Sequence, residues 1–246
     1  VIDREIEQHP QRNEWVETSL GETFDDFNQK WSPSTKNEIV NYIGLENIES
    51  NTGKLVNFTP TESSKIKSSK TIFTKNEVLY GKLRPYLNKV HLPEFDGMCS
   101  TDILSLTPKS NIDRQFLAYF LRCTYVLSIT NKSMHGTKMP RTKIQVLQEI
   151  QFSLPKISTQ KQIVAKLDHV LGELEVKKKE ILKLKEKKDS AISKLSQKTI
   201  GEIILNHMKI DNIPKKWQIK TVEDCVDIQA GFAQGEKNVV NGTIHL

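Results

Sequence analysis

The stretch "STQKQIVAKLDHVLGELEVKKKEILKLKEKKDSAISKL", Ser158–Leu195, decides the fold class. Its apolar residues recur at helical spacing, Ser158 or Thr159 can cap its start, and only Gly172 interrupts it. A helix of this length, about 60 Å at 1.5 Å per residue, is too long to lie against one small domain. We therefore expect it to protrude and to pack against a partner helix. The apolar residues of the stripe are Ile163, Leu167, Leu171, Leu174, Ile181, Leu184, Ile192 and Leu195.

Lysines interrupt this apolar stripe. Lys178, Lys185 and Lys188 stand where a strict seam would have leucine, so we expect an imperfect coiled coil rather than a tight zipper. The alternative is a highly charged, solvated helix. That alternative accounts for the lysines but leaves the sustained apolar stripe unexplained.

The residues before the helix alternate short apolar runs with turn formers, which is typical of a mixed domain. We predict an α+β fold, with a globular domain over residues 1–156, the long helix over 157–208 and the start of a second domain over 209–246. The predicted elements are strands at Trp15–Leu20, Ile39–Leu45 and Ile103–Leu106, two strands in Thr71–Leu87 with a turn near Asn76, a helix in Ile112–Ser128, and a last strand in Glu149–Ser158 that Pro155 ends.

The expected second domain rests on an internal match. "IPKKWQIKTVEDCVDI" after the helix resembles "NEWVETSLGETFDD" near the start, with Trp217 aligned to Trp15 at an offset that three further positions share. Four positions are also compatible with chance similarity. The match predicts that the chain begins a second copy of its first domain.

The composition of the chain sets its class. The chain has 246 residues, 37% of them hydrophobic, which suffices for a substantial core and one to two domains. It has no apolar run of about eighteen residues, its first ten residues are charged, and its three cysteines lack CxxC spacing. We expect a cytoplasmic protein with reduced thiols and no membrane span.

Positive charge is unevenly distributed. Lys156–Lys198 holds twelve lysines against six acids, so the rest of the chain is neutral overall. Within that neutral remainder, Lys65–His91 holds seven cations against Glu77 alone, and Lys132–Lys143 holds four cations and no acid. The domain is therefore polarised, as a protein that binds a polyanion would be.

Motifs for catalysis are missing from the sequence. The six histidines have no metal-ligand spacing, and no phosphate-binding loop, dinucleotide fingerprint, nucleophile elbow or adenine-methyltransferase string occurs. We expect a chain that is not an enzyme, with no metal and no cofactor of its own.

Basic clusters with interleaved amide and aromatic side chains are typical of nucleic-acid binding. Arginine can fork onto guanine, and asparagine or glutamine can bond bidentately to adenine. For each residue alone, an ordinary surface position is the alternative. The candidate readers are Arg84, Arg141, Gln29 and Asn88, and the candidate backbone contacts are Lys82, Lys89, Lys138 and Lys143, with Tyr86 between them.

Several strings carry a family resemblance. "YIGLENI", "VLYGKLRPYLNKV" with "CSTDILSL", "GTKMPRTK" and "LPKISTQKQIVAKLD" occur in this order before the Lys/Glu/Leu helix. The chain thereby resembles the specificity subunits of type I restriction-modification systems, from about Trp15 to Trp217. The Gly-Lys-Leu-Arg-Pro-Tyr-Leu string and the transition into the helix are the most specific parts.

The resemblance implies an architecture and a set of partners. In such subunits a target recognition domain reads one half of a split sequence in double-stranded DNA, and the long helices pack antiparallel as a spacer. Methyltransferase subunits, which use S-adenosylmethionine to methylate adenine N6, dock onto the subunit, and restriction subunits join them. The family-like string at Gly81–Lys89 is expected to hold DNA generally, and the loops Phe24–Thr35, Thr59–Lys70 and His135–Arg141 to choose bases.

The chain departs from the full family pattern because it holds one domain, one helix and about thirty residues of a second domain. Two explanations stay open: a truncated or fragmentary form, or a half-length subunit that forms a homodimer through its helix and reads an inverted repeat. Two other functions also stay open. They are a stand-alone sequence-specific DNA-binding module or regulator, and a coiled-coil assembly protein without DNA specificity.

Overall fold

The computed structural model describes residues 1–7, 9–10, 12–33, 37–134 and 138–207. The strands are β1 (Val16–Ser19), β2 (Phe24–Asp26), β3 (Lys30–Trp31), β4 (Ile39–Val40), β5 (Tyr42–Ile43), β6 (Thr61–Glu62), β7 (Lys70–Phe73), β8 (Val78–Gly81), β9 (Val90–His91), β10 (Gly97–Cys99), β11 (Ile103–Pro108) and β12 (Gln151–Leu154). The α-helices are α1 (Ile2–Glu7), α2 (Arg114–Leu121), α3 (Thr124–Lys132), α4 (Ile144–Gln148) and α5 (Ile157–His207).

The predicted α+β class with a long helix after the domain is confirmed. Backbone contacts divide the chain into a unit that ends at Glu180 and a unit that begins at Ile181, of which the described part is the remainder of α5. The expected second domain, residues 209–246, lies outside the described residues, so the three-part division of the chain stays a prediction. No helix in the described part of the chain is long and apolar enough to cross a membrane.

Two four-stranded sheets form the framework of the first unit. One is antiparallel in the order β2-β11-β8-β9, and the other runs β3-β7-β10-β5 with β10 and β5 parallel. All four residues of β8 are buried, which matches its uninterrupted apolar sequence. The strands β7 and β8 follow each other in sequence but belong to different sheets, so the turn around Asn76 connects two layers rather than closing a hairpin.

The main core lies between the sheet that contains β8, the helices α2 and α3, and the first turns of α5. Phe24, Phe116 and Leu167 are among its fully buried side chains. A smaller core joins Phe73 of the second sheet to Ile103 of the first. Each large side chain buried in this way contributes about 1.5–3 kcal/mol of hydrophobic stabilisation.

The predicted single helix over Ile112–Ser128 is wrong in one respect, because the structure divides it into α2 and α3. Cys123 takes an extended conformation, with φ −70° and ψ 156°. The Asp3 carboxylate accepts hydrogen bonds from the Thr124 backbone N–H at 2.6 Å and from its hydroxyl at 2.8 Å. Asp3 thereby satisfies an open donor at the start of α3, and this long-range cap favours a second helix start.

The long helix begins inside the domain. Ile163 and Leu167 are buried in the main core and Leu171 is partly buried. Leu174, Ile181, Leu184, Ile192 and Leu195 are exposed, each by 48% or more. The apolar stripe therefore has two parts, one that packs on the domain and one that faces outward within the described residues.

Candidate nucleic-acid interface

A groove of about 630 Å³ collects basic and amide side chains from distant parts of the sequence. Its lining includes residues in and after β2, residues of β3, and residues that precede or begin α4. Lys30, Lys82, Arg141 and Lys143 line it, and Asp26 contributes a carboxylate. Burial raises the pKa of Asp26, while Lys30 and Lys82 act in the opposite direction.

The loop Lys82–Lys89, whose Lys82 lines the groove, connects β8 to β9 as an antiparallel hairpin. Leu79 pairs with His91, and the Gly81 N–H donates to the Lys89 carbonyl at 2.9 Å. Pro85 begins a short 3-10 turn, and the residues on either side of it, Arg84 and Asn88, have φ of 51° and 50°. Such left-handed conformations are uncommon outside glycine and often mark functional loops.

Three contacts join this loop to the segment before α4. The Arg84 N–H donates to the Pro140 carbonyl at 2.8 Å, the Thr142 N–H donates to the Lys82 carbonyl at 3.1 Å, and Leu83 forms a β-bridge with Arg141. The two cation-rich stretches of the sequence are therefore neighbours in space. Arg84 is exposed, and its backbone N–H lies at their junction.

Arg141 forms a bidentate ion pair with Asp102. Its Nε and one terminal nitrogen donate to the two carboxylate oxygens at 2.8 and 3.1 Å, and its other terminal nitrogen donates to the Met139 carbonyl at 3.0 Å. Asp102 raises the pKa of Arg141. The Asp102 carbonyl also accepts from the Lys82 N–H at 3.0 Å, so Arg141 acts here as a brace between the loops.

Two other predicted contact residues use their side chains internally. The Asn88 amide donates to the Arg122 carbonyl at 3.1 Å, and the Lys89 ammonium donates to the Leu45 carbonyl at 2.5 Å. Burial lowers the pKa of Lys89. Both side chains therefore stabilise the hairpin loop in this structure.

The remaining predicted residues face outward. Tyr86 is 47% exposed, and Gln29, Lys138 and Lys143 are exposed. Gln29 lies between β2 and β3, and Lys143 immediately precedes α4. Of the predicted DNA contacts, Lys82, Arg141 and Lys143 thus share the groove.

Three residues that the fold places in the groove were not singled out in the sequence: Asn28 and Lys30, which lie in the predicted loop Phe24–Thr35, and Gln145. The Lys30 ammonium donates to the Thr71 hydroxyl at 3.1 Å. Asn28 and Gln145 bring side-chain amides next to the cations. Asp25 and Asp26 make the local sequence around Asn28 and Lys30 acidic, and Gln145 lies two residues beyond the cation-rich stretch Lys132–Lys143.

Of the three loops predicted to choose bases, the first reaches the groove through Asp26–Lys30 and the third through Met139–Arg141. Residues 34–35 of the first loop and 135–137 of the third lie outside the described residues. The second loop is partly ordered by the pairing of β6 with β4. Within the described part of the chain, no group of three or more histidine, cysteine or acidic side chains could hold a metal ion.

A family model described as the type I restriction modification DNA specificity domain matches residues 12–186. The chain belongs to this family. The family resemblance inferred from the sequence is thereby confirmed.

Curated relatives of the specificity family agree with this assignment. The chain is 28% identical over 140 residues to the type I restriction enzyme EcoDI specificity subunit of Escherichia coli, covering 57% of this chain and 31% of that protein. It is also 28% identical over 140 residues to the MjaVIII specificity subunit of Methanocaldococcus jannaschii, covering 55% and 32%. The chain thus matches about a third of the length of these relatives.

Two solved structures share the fold of the specificity family. An HsdS subunit from Thermoanaerobacter tengcongensis matches with a TM-score of 0.59 and 23% identity, over 83% of this chain and 52% of that one. A chain from a study of complex assembly and conformational transition of the type I R-M system matches with a TM-score of 0.63 and 22% identity, over the same shares.

Proposed function

We propose that this chain is the non-catalytic DNA-recognition subunit of a type I restriction-modification complex in the cytoplasm. Its first unit would bind one half of a bipartite target in double-stranded DNA. The observation that carries the proposal is the groove, where four cations and two amide side chains from separate parts of the sequence meet beside the exposed Arg84. The family assignment supports the same role.

The groove divides into two chemical roles. Lys30, Lys82 and Lys143 supply charge for phosphates, which is the sequence-independent part of DNA affinity. Asn28 and Gln145 supply donor and acceptor pairs that match the edge of adenine, the commonest use of these amides in the major groove. Arg84, beside the groove, contacts the DNA backbone. The side-chain amides of Asn28 and Gln145 choose the base.

The proposed partners follow from the family. Methyltransferase subunits would dock on this chain and bring S-adenosylmethionine, so the methyl transfer to adenine N6 would occur in the partner. Restriction subunits would join the same complex. One of the two solved structures that share the fold comes from a study of complex assembly of the type I system, which supports an assembly role.

We further propose that the exposed part of the α5 stripe packs antiparallel on the same helix of a second copy. Leu174, Ile181, Leu184, Ile192 and Leu195 are large hydrophobic residues at 48–64% exposure. Apolar residues repeated at this spacing are typical of helix–helix seams. A symmetric homodimer would present two identical recognition units, and its DNA target would be an inverted repeat with a gap.

A salt titration of DNA binding tests the backbone role of Arg84. In the complex of this chain with its methyltransferase subunit, Arg84→Ala should weaken binding to target and non-target duplexes alike, by about three- to tenfold, and should lower the salt slope by about 1. Fluorescence anisotropy between 50 and 200 mM salt measures both quantities.

Arg4→Ala is the matched control, because Arg4 is an exposed arginine on α1 that does not line the groove. It should leave the affinity and the slope unchanged. An Arg84 variant with unchanged affinity, or with a changed sequence preference at the same slope, would contradict the assignment.

A further inference from the structure

The first turns of α5 carry a stripe of polar residues that form hydrogen bonds and an ion pair with the rest of the domain. Gln160, Asp168 and Glu175 are separated by eight and seven residues, which is close to two helical turns each time, so they share one side of the helix. Each of the three makes a side-chain contact with a different segment of the domain. The stripe runs beside the buried apolar residues Ile163 and Leu167.

Gln160 forms the innermost contact and is fully buried. Its carbonyl oxygen accepts from the Asp113 N–H at 2.6 Å, and its amide donates to the carbonyls of Asn111 at 3.0 Å and Pro155 at 2.8 Å. Asp113 is itself the cap of α2, since its carboxylate accepts from two N–H groups of that helix. The start of α5 is thereby locked to the start of α2.

Asp168 forms the second contact, two turns further along. Its two carboxylate oxygens accept from the Gln115 amide at 2.8 and 2.9 Å, and one of them accepts from the Tyr119 hydroxyl at 2.5 Å. Gln115 and Tyr119 are four residues apart and share a face of α2. Three hydrogen bonds to one carboxylate fix the rotation of α5 about its own axis relative to α2.

The outermost contact is an ion pair of 2.6 Å between Lys54 and Glu175. Lys54 follows Gly53, whose φ of 72° belongs to a tight turn. In that turn, the Asn51 N–H donates to the Asn88 carbonyl at 3.0 Å. The outer contact therefore connects α5 to the hairpin loop that carries Arg84.

We propose that Asp168 and the Lys54–Glu175 pair are positioning residues that set how strictly the assembled protein measures the gap between its two DNA half-sites. This inference rests on the proposed function. One base pair changes the separation of half-sites by about 3.4 Å and their phase by about a tenth of a turn. In an ideal helix, a tilt of about 4° at one end displaces a point thirty residues away by about 3 Å. A small tilt of the first turns of α5 thus displaces a distant point on the helix by about the rise of one base pair.

The experiment measures adenine methylation by the complex of the full chain with its methyltransferase subunit. The substrates are duplexes that carry the two half-sites at the natural gap, or at a gap one base pair shorter or longer. The wild-type rate should fall at least about tenfold when the gap changes. Asp168→Ala and Lys54→Glu should reduce that penalty to about threefold or less, because α5 can then tilt, while the rate at the natural gap falls less than about threefold.

Two further variants keep the test decisive. Lys54→Glu combined with Glu175→Lys restores an ion pair and should restore the wild-type penalty. Glu173→Gln neutralises an exposed carboxylate of the same helix stretch, whose described ion pair is with His169 of α5 itself, and should behave as wild type. Circular dichroism of each variant monitors folding independently.

The outcomes separate the two proposals. A gap penalty in the Asp168 and Lys54 variants equal to that of wild type would overturn the positioning role while leaving DNA recognition intact. A wild-type complex that methylates no gapped duplex would overturn the proposed function, and the positioning role with it. A gap penalty that is reduced in Lys54→Glu and returns to the wild-type value when Glu175→Lys is added would support the positioning role.

Discussion

At the scale of single residues, several candidate contacts serve the fold of the interface more directly than they could serve DNA. Arg141 pairs with Asp102, and Asn88 and Lys89 bond backbone carbonyls of distant segments. Charge-assisted and bidentate hydrogen bonds hold loops in one geometry more strongly than neutral ones do. The loops at the groove are therefore pre-organised, which reduces the ordering that binding would otherwise require.

The brace role of Arg141 predicts a counter-intuitive result. Asp102→Asn removes a negative charge near the groove, so electrostatics alone would tighten DNA binding. If the Arg141–Asp102 pair orders the loops, the substitution should instead weaken binding of the assembled complex by about three- to tenfold. Asp25→Asn is the control, because Asp25 is an exposed carboxylate on β2 that pairs with Lys109. Anisotropy at fixed salt measures the difference, and tighter binding by Asp102→Asn would contradict the brace.

His91 should make stability depend on pH. It is buried, its Nδ1 is 2.8 Å from the Gly53 carbonyl, and burial lowers its pKa below the ordinary value of 6.5. Below pH 6.5 the unfolded chain binds this proton more readily than the native protein, so stability present above that pH is lost as the pH falls toward the native pKa. His91→Gln should therefore lose less thermal stability than wild type between pH 7 and pH 5, by about 2–4 °C in Tm.

The control for His91 is the exposed His169, whose replacement by glutamine should leave the pH dependence of Tm as in wild type. Differential scanning calorimetry at both pH values provides the comparison. Equal losses of Tm in wild type and His91→Gln would exclude His91 as the source of the acid sensitivity.

At the scale of elements, local pattern predicted what local interactions determine. The apolar periodicity predicted the long helix, although it starts at Ile157, so that the expected caps Ser158 and Thr159 lie inside its first turn. The division between α2 and α3 depends on Asp3, which lies more than a hundred residues away in sequence. Periodicity carries no information about such a cap.

Part of the candidate site could also be predicted from the local sequence. The two cation-rich stretches can be recognised from their composition. In the fold, Lys82 lines the same groove as Arg141 and Lys143. Lys30 and Gln145 could not be singled out, because sheet topology rather than local sequence places them in the groove. The internal bonds of Asn88 and Lys89 are also long-range, so their side chains resembled exposed contacts in the sequence.

Substitutions of two glycines test the backbone conformations of the turn at Gly53 and of the helix at Gly172. At Gly53, φ is 72° and an added Cβ would lie 1.8 Å from the Val90 carbonyl oxygen. Gly53→Ala should therefore destabilise the protein by about 2 kcal/mol and lower Tm by about 4–8 °C. Gly172 lies in α5 with nothing within 4 Å of an added Cβ. Gly172→Ala should stabilise by about 0.5–1 kcal/mol, because alanine loses less backbone entropy in a helix.

The same chemical change should thus have opposite signs at the two positions. Thermal unfolding followed by circular dichroism measures both. A neutral Gly53→Ala, or a destabilising Gly172→Ala, would contradict the conformations described for the turn or for the helix.

At the scale of the whole molecule, the chain combines a groove lined by cations, a helix held on the domain by polar contacts, and an exposed apolar stripe further along that helix. Each part is incomplete as a recognition device by itself. A single groove can read only one half-site, and the exposed stripe needs a second helix. We therefore expect an assembly that holds two grooves at a fixed distance and orientation.

The most direct test of this account is a genome-wide map of N6-methyladenine in a methylation-free bacterial host. The host would express this chain together with its methyltransferase subunit, and each protein alone in control strains. We expect a gapped inverted repeat that is methylated only when both proteins are present. The absence of any methylated motif, with both proteins soluble and associated, would contradict it.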